Sequence, residues 1–124
     1  MSRLRAAAAA VSPTQQVGAR AEDRALACLL QAGLTLLERN AASALGELDL
    51  VMRDGSTVVF VEVRARADAR YGGAAASVNP AKQRRLRRIA QQWLQARAGG
   101  RWPPCRFDVV AIDGGRIDWI RDAF

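Results

Sequence analysis

Residues 46–66 read GELDLVMRDGSTVVFVEVRAR, and this stretch predicts two β-strands joined by a tight turn. The segment DGST places a glycine at the first central position of a two-residue loop, as a type II′ turn requires. With Gly55 and Ser56 as the central pair, Asp54 faces Thr57, and the pairing of all earlier and later residues follows from that register. The sequence therefore predicts a hairpin whose cross-strand neighbours can be named.

Three carboxylates lie within these two apolar strands. The predicted register places Asp49 opposite Glu62 and Glu47 opposite Arg64, with all four on one face. The opposite face of the first strand is expected to carry Leu48, Leu50 and Met52. Two facing carboxylates repel each other unless a proton or a cation lies between them, and Mg²⁺ or Mn²⁺ prefers such oxygen ligands. The plainer alternative is a polar sheet edge with a cross-strand ion pair between Glu47 and Arg64.

The remaining pattern predicts the element order α-β-β-β-α-β-β in a single α/β domain. Ser12 is a candidate N-cap for the first helix, and a strand is expected over LTLLER before the hairpin. Asn79 caps a second helix that runs to about Arg97, and RFDVVAI and RIDWI are the closing strands. We predict a flexible tail over residues 1–11 and one domain over residues 12–124, because 124 residues suffice for one core.

The charge distribution favours a polyanionic partner. The net charge is +7, with eighteen arginines and one lysine, and nine basic residues but no acidic residue lie between Ala69 and Phe107. An arginine-rich genome bias explains the composition equally well, but such a bias does not remove acidic residues from one segment. We therefore predict a basic face that binds nucleic acid, DNA in the first place.

Cysteine usage and hydropathy exclude other classes of protein. Cys28 and Cys105 have no metal-binding spacing and the chain has no histidine, so we expect no zinc site. No segment approaches the length of a membrane span, so no membrane association is predicted. We expect a cytoplasmic protein, and the sequence is compatible with a homodimer.

The second helix concentrates the positive charge. At 100° per residue Lys82 lies on the same stripe as Leu86, Ile89 and Trp93, which is expected to face the sheet. The residues predicted to contact phosphates without reading sequence are Lys82, Arg84, Arg85, Arg87 and Arg88.

The carboxylate pattern resembles a known nuclease signature. GELDL, followed after a spacer by VEVR, is similar to the D-x(n)-E-x-K motif of restriction-endonuclease-like nucleases. The wider pattern resembles the YraN-like bacterial family, uncharacterised protein family 0102. Its matching segments are GARAEDRALACLLQAG, ERN, GELDLV, VFVEVRAR, YGGAAASV, KQRRL, RFDVV and the terminal AF. The resemblance implies a restriction-endonuclease-like fold, with a mixed central sheet flanked by helices.

The same resemblance implies a metal site. Asp49 and Glu62 take the places of the metal-binding carboxylates, and the carbonyl of Val63 would be a further ligand. Glu22, on the first helix, takes the place of an additional acidic residue. The implied cofactor is Mg²⁺ or Mn²⁺, and the implied activity is phosphodiester hydrolysis on DNA, in repair or on branched substrates.

Arg64 stands where the nuclease motif has lysine. Arginine can stabilise a phosphoryl transition state but cannot act as a base, because its pKa exceeds about 12. Lys82 is the candidate to replace the missing lysine, although a first-turn lysine more often extends to solvent. The departure also favours an alternative, a catalytically inactive nucleic-acid-binding module of the same fold. A second alternative is a protein-interaction module that uses the basic helix.

Overall fold

A computed structural model describes residues 13–65, 78–99 and 101–124. The elements follow the predicted order: α1 (Pro13–Gln31), β1 (Thr35–Ser43), β2 (Gly46–Asp54), β3 (Thr57–Ala65), α2 (Pro80–Ala98), β4 (Cys105–Asp113) and β5 (Arg116–Ile120). The predicted tail over 1–11 and the Ser12 cap lie outside the described residues.

The five strands form one mixed sheet in the order β1-β2-β3-β4-β5. Among the described strands only β3 and β4 pair in parallel, and α2 makes the crossover that a parallel pair needs. Each helix covers one face of the sheet. The cluster under α1 includes Ala25, Leu29, Leu50 and Val61. The cluster under α2 includes Phe60, Leu86, Ile89 and Phe107. The predicted mixed sheet flanked by two helices is confirmed.

Helix α2 begins and ends at residues that its sequence predicts. The Asn79 side chain accepts a hydrogen bond from the Lys82 N–H at 2.9 Å, which satisfies one of the free donors of the first turn. Gly99 adopts the left-handed conformation, with φ 59°, and ends the helix just beyond the predicted Arg97. These two caps fix the position of the first turn, which carries Lys82.

The predicted hairpin is confirmed over its turn and outer half. Asp54 pairs with Thr57, and the register continues to Leu50 opposite Val61. Gly55 has φ 61°, a conformation that favours glycine over residues with a side chain.

The predicted alternation of β2 is wrong at one residue. Leu48 packs in the cluster under α2, whereas Leu50 packs in the cluster under α1. Strand β1, which faces β2, changes in the same way. Arg39 contacts Glu22 on α1, whereas Ala41 packs in the cluster under α2. Between these pairs lies Asn40, whose left-handed φ of 54° turns the backbone over. Both strands therefore exchange faces beside Asp49.

Candidate functional site

Asp49 lies where strands β2 and β3 separate. The ladder of backbone pairs between β2 and β3 ends at Leu50 opposite Val61. The predicted pairing of Asp49 directly opposite Glu62 is therefore not formed. Instead, Asp49 Oδ2 accepts a hydrogen bond from the Val63 N–H at 2.9 Å. The carboxylate takes the place of a backbone acceptor, so the Asp49 side chain fills the gap between the strands rather than projecting from one face.

Asp49 and Glu62 are nevertheless in contact, as their proximity in the sequence register predicts. The pKa of Asp49 is raised to about 8, first by burial, then by the charge of Glu62 and a hydrogen bond between the two carboxyl groups, while the Val63 N–H lowers it. At neutral pH Asp49 therefore carries a proton and donates it in the hydrogen bond to Glu62. This proton relieves the repulsion that the sequence predicted for two adjacent carboxylates.

Glu62 is balanced by two cations. Its side chain is 7 % exposed, and Lys82 Nζ lies 2.5 Å from Glu62 Oε2. Arg64 Nη1 lies 3.6 Å from the same oxygen. The prediction that Lys82 faces the sheet is confirmed, and its ammonium group reaches the carboxylate because Asn79 fixes the first turn of α2.

Two further carboxylates meet Asp49 from the other side. One oxygen each from Glu22, Glu47 and Asp49 lie within 4.8 Å of one another. Arg39 holds Glu22 in place through a contact of 3.3 Å between Nε and Oε1. Arg39 also binds Asp23 at 2.8 Å. Asp49 thus connects this cluster to Glu62, and we call Glu22, Glu47, Asp49 and Glu62 the carboxylate centre.

The sequence placed Glu22 and Asp49 in the same site, whereas Glu47 was expected opposite Arg64 on the same face and was not among the predicted metal ligands. The signal for Glu47 was its position two residues before Asp49, where strand alternation places both side chains together. Arg39 was missed, because its contact with Glu22 depends on how α1 packs against β1.

The donor set of the carboxylate centre suits a hard divalent cation. Carboxylate oxygens are the preferred ligands of Mg²⁺ and Mn²⁺. Val63 contributes its N–H to Asp49, and the predicted role of its carbonyl as a metal ligand stays a prediction.

The outer surface of α2 has one sign of charge. Four of its five arginines are exposed within its first half, namely Arg84, Arg85, Arg87 and Arg88, and the fifth, Arg97, pairs with Glu38. The guanidinium of Arg87 lies over the rings of Phe107, at 5.4 Å, and Phe124, at 5.5 Å. Since Lys82 belongs to the same helix, this basic surface adjoins the carboxylate centre.

Asp108 has a structural role in strand β4. It is fully buried and accepts hydrogen bonds from Arg106 Nε at 3.0 Å, Trp119 Nε1 at 2.9 Å and the Asp122 N–H at 2.9 Å. These contacts saturate its oxygens and attach the C-terminal segment to β4.

The family described as Uncharacterised protein family UPF0102 matches residues 21–112, a span that contains every member of the carboxylate centre. The chain belongs to this family. The YraN-like resemblance seen in the sequence is thereby confirmed.

Curated UPF0102 proteins from several bacteria are similar over most of their length. A relative from Bordetella petrii is 58% identical over 117 residues, covering 91% of this chain and 72% of its own. One from Alkalilimnicola ehrlichii is 53% identical over 124 residues, covering 100% and 97%. One from Ralstonia nicotianae is 58% identical over 111 residues, covering 86% and 85%.

Two properties bear on the surroundings of this UPF0102 chain. Both cysteines, Cys28 and Cys105, are free thiols. Among the residues that the structure describes, neither helix is long and apolar enough to cross a membrane.

Proposed function

We propose that this protein is a metal-dependent nuclease that hydrolyses phosphodiester bonds in DNA. The observation that carries the proposal is the position of Asp49, which contacts both Glu62 and the Glu22–Glu47 pair beside a basic helix. Acidic side chains beside a uniformly basic surface are the combination that metal-assisted cleavage of a polyanion needs.

The side chains of Asp49, Glu62 and Glu22 would hold Mg²⁺ or Mn²⁺. A bound ion of this kind polarises a phosphate and lowers the pKa of a coordinated water. The Val63 N–H fixes the orientation of the Asp49 carboxylate at 2.9 Å. Arg39 does the same for Glu22 at 3.3 Å, so the ligands are positioned before a substrate arrives.

Lys82 supplies the charge that the nuclease motif takes from its own lysine. Its ammonium group lies 2.5 Å from Glu62, although it comes from a different element than Arg64. In the proposed reaction Lys82 and Arg64 stabilise the negative charge that develops on the phosphoryl oxygens. A guanidinium group is not a base in proteins, so Arg64 is assigned no part in activating water.

The restriction-endonuclease-like fold is part of the proposal. It is supported by the element order, by the mixed sheet and by acidic residues at the separation of two adjacent strands. A cytoplasmic location is also proposed, because DNA is the substrate and both thiols are free.

A specific observation favours a second candidate, a binding module without turnover. Lys82 and Arg64 already balance the charge of Glu62, which weakens its attraction for a metal ion. In that case the basic surface of α2 would bind DNA and the carboxylate centre would have no catalytic role.

A cleavage assay in Mg²⁺ and Mn²⁺ separates the two candidates. The substrates are duplex, single-stranded, flap and four-way-junction DNA, and the variants are Asp49→Asn and Glu62→Gln. Asp113→Asn is the matched control, since Asp113 is an exposed carboxylate at the end of β4. Cleavage by the parent and the control, abolished by EDTA and by both variants, supports the nuclease. DNA binding without cleavage of any substrate supports the binding module.

A further inference from the structure

A shallow groove runs along the outer side of α2, at a distance from the carboxylate centre. It has a volume of about 330 Å³ and is lined by Arg88, Gln91, Gln92, Gln95 and Trp102. Trp102 is 50% exposed, whereas Trp93, on α2, packs edge-on against Phe60. The groove therefore combines an accessible aromatic ring, a cation and amide groups, and none of its lining residues is acidic.

The backbone on the C-terminal side of Trp102 is attached to the sheet. Gly99 ends α2 in the left-handed conformation, three residues before the tryptophan. After it, the Pro104 carbonyl accepts a hydrogen bond from the Val58 N–H at 2.9 Å, which attaches the segment to β3. Pro103 and Pro104 also restrict their own backbone angles. A ring held in this way loses little conformational entropy when a ligand stacks on it.

The geometry points to a binding site for an unpaired DNA base, with Trp102 as the stacking surface and Arg88 as the contact to a neighbouring phosphate. Every base has a flat face that stacks on tryptophan, so the site does not depend on sequence. The glutamine amides both donate and accept hydrogen bonds, which suits the edges of any base. This inference rests on the proposed function and adds the substrate class, a duplex that carries a single-stranded extension.

The spacing along α2 sets the length of that extension. Arg88 and Gln95 follow Lys82 by six and thirteen residues, which corresponds to about 9 and 20 Å along the helix axis. One strand of DNA advances about 3.4 Å per nucleotide. A base on Trp102 would therefore lie about three to six nucleotides from a phosphate held beside Lys82.

The test is a binding titration by fluorescence anisotropy in EDTA, where no metal-dependent cleavage occurs. The probes are a labelled blunt duplex and the same duplex with extensions of about two or about eight nucleotides. The parent is expected to bind the long extension about tenfold more tightly than the blunt duplex, and the short extension no more tightly. Trp102→Ala should lose this preference, and Trp102→Phe should keep most of it. Leu30→Ala, at another exposed apolar side chain, is the control and should behave as the parent.

Equal affinity of the parent for blunt and extended DNA would overturn the inference. The inference would also be overturned if Trp102→Ala weakened binding to the blunt and the extended duplex alike. The tryptophan would then have no role specific to unpaired bases. The nuclease proposal is judged separately by metal-dependent cleavage and its loss in Asp49→Asn. The protein could prefer extended DNA through Trp102 and yet cleave no substrate. That result would support this inference and reject nuclease activity.

Discussion

At the scale of single residues, the carboxylate centre depends on how Asp49 is held. Its oxygen accepts the Val63 N–H and its proton is shared with Glu62, so it connects two groups of acids across the sheet. Glu62 instead contacts the ammonium group of Lys82, at 2.5 Å. The two adjacent carboxyl groups thus have different neighbours, a backbone N–H for Asp49 and an ammonium group for Glu62.

The pKa of Asp49 predicts how stability changes with pH in EDTA. The unfolded chain ionises this carboxyl group near pH 4, whereas the folded protein keeps its proton until about pH 8. The free energy of unfolding should therefore fall as pH rises from 4 to 8, by an amount on the order of a few kcal/mol.

Asp49→Asn removes the titrating group while keeping a donor and an acceptor at the same place. We expect the variant to match the parent near pH 4 and to be more stable than the parent at pH 8. Urea unfolding across this pH range measures the difference, with Asp113→Asn as the control. Parallel pH profiles for Asp49→Asn and the parent would show that Asp49 is ionised in the folded protein.

At the scale of elements, the change of face in β1 and β2 shapes the centre. Asn40, with φ 54°, lies between the pairs Arg39–Leu50 and Ala41–Leu48, directly beside Asp49. Without that left-handed residue, regular alternation would send Arg39 and Ala41 to the same face. The switch sends Arg39 towards Glu22 instead and leaves Ala41 under α2.

Substitution of Asn40 tests this arrangement. Glycine adopts a left-handed φ readily, so Asn40→Gly should be tolerated, whereas Asn40→Val should lower the free energy of unfolding by about 2 kcal/mol. Ala42→Val, at an exposed position of the same strand, controls for the added β-branched side chain. Urea denaturation gives the three values. If Asn40→Val is as stable as Ala42→Val, the left-handed residue has no part in holding the two strands.

The basic surface of α2 predicts a salt-dependent interaction with DNA. Reversal of Arg84 and Arg88 to glutamate should weaken binding and reduce the slope of log K against log salt by about two. Arg87 is left unchanged because it stacks on Phe107 and Phe124.

The matched control reverses Arg20 and Arg53, which are exposed on α1 and β2, and changes the net charge by the same amount. Binding to a short duplex is measured over a range of salt concentrations. An equal loss of DNA affinity in the two double variants would mean that binding depends on net charge and not on the basic surface of α2.

At the scale of the whole molecule, the carboxylate centre joins three elements of the fold. Its members come from α1, β2 and β3, and Lys82 adds α2. A ligand that binds only when these elements are assembled stabilises the folded state. The proposed metal ion should therefore affect global unfolding and not only local structure.

Thermal unfolding in Mn²⁺ tests this expectation. Free Mn²⁺ at a hundredfold above its dissociation constant should add about 2.7 kcal/mol to the free energy of unfolding, equivalent to roughly 10 °C in Tm. Asp49→Asn and Glu62→Gln should reduce the gain, and Asp113→Asn should not. Arg64→Ala should bind the ion more tightly, since it removes a cation 3.6 Å from Glu62. A parent Tm that does not respond to millimolar Mn²⁺, with or without a short duplex, would favour the binding module.

The sequence by itself determined the element order, the caps of α2 and the register of the hairpin turn. These features depend on local residues such as Asn79, Gly99 and Gly55, whose backbone preferences act within a few positions. It also placed Lys82 on the stripe of α2 that faces the sheet, because the helical periodicity of Leu86, Ile89 and Trp93 is regular there.

Only the tertiary structure decided how the carboxylates meet. The switch at Asn40 interrupts the period of two from which the face of Leu48 was inferred. The contacts of Glu22 with Arg39 and with Asp49 join residues far apart in the chain, and they depend on how α1 packs on the sheet. Local pattern cannot encode that packing, because burial of the apolar faces of all the elements determines it together.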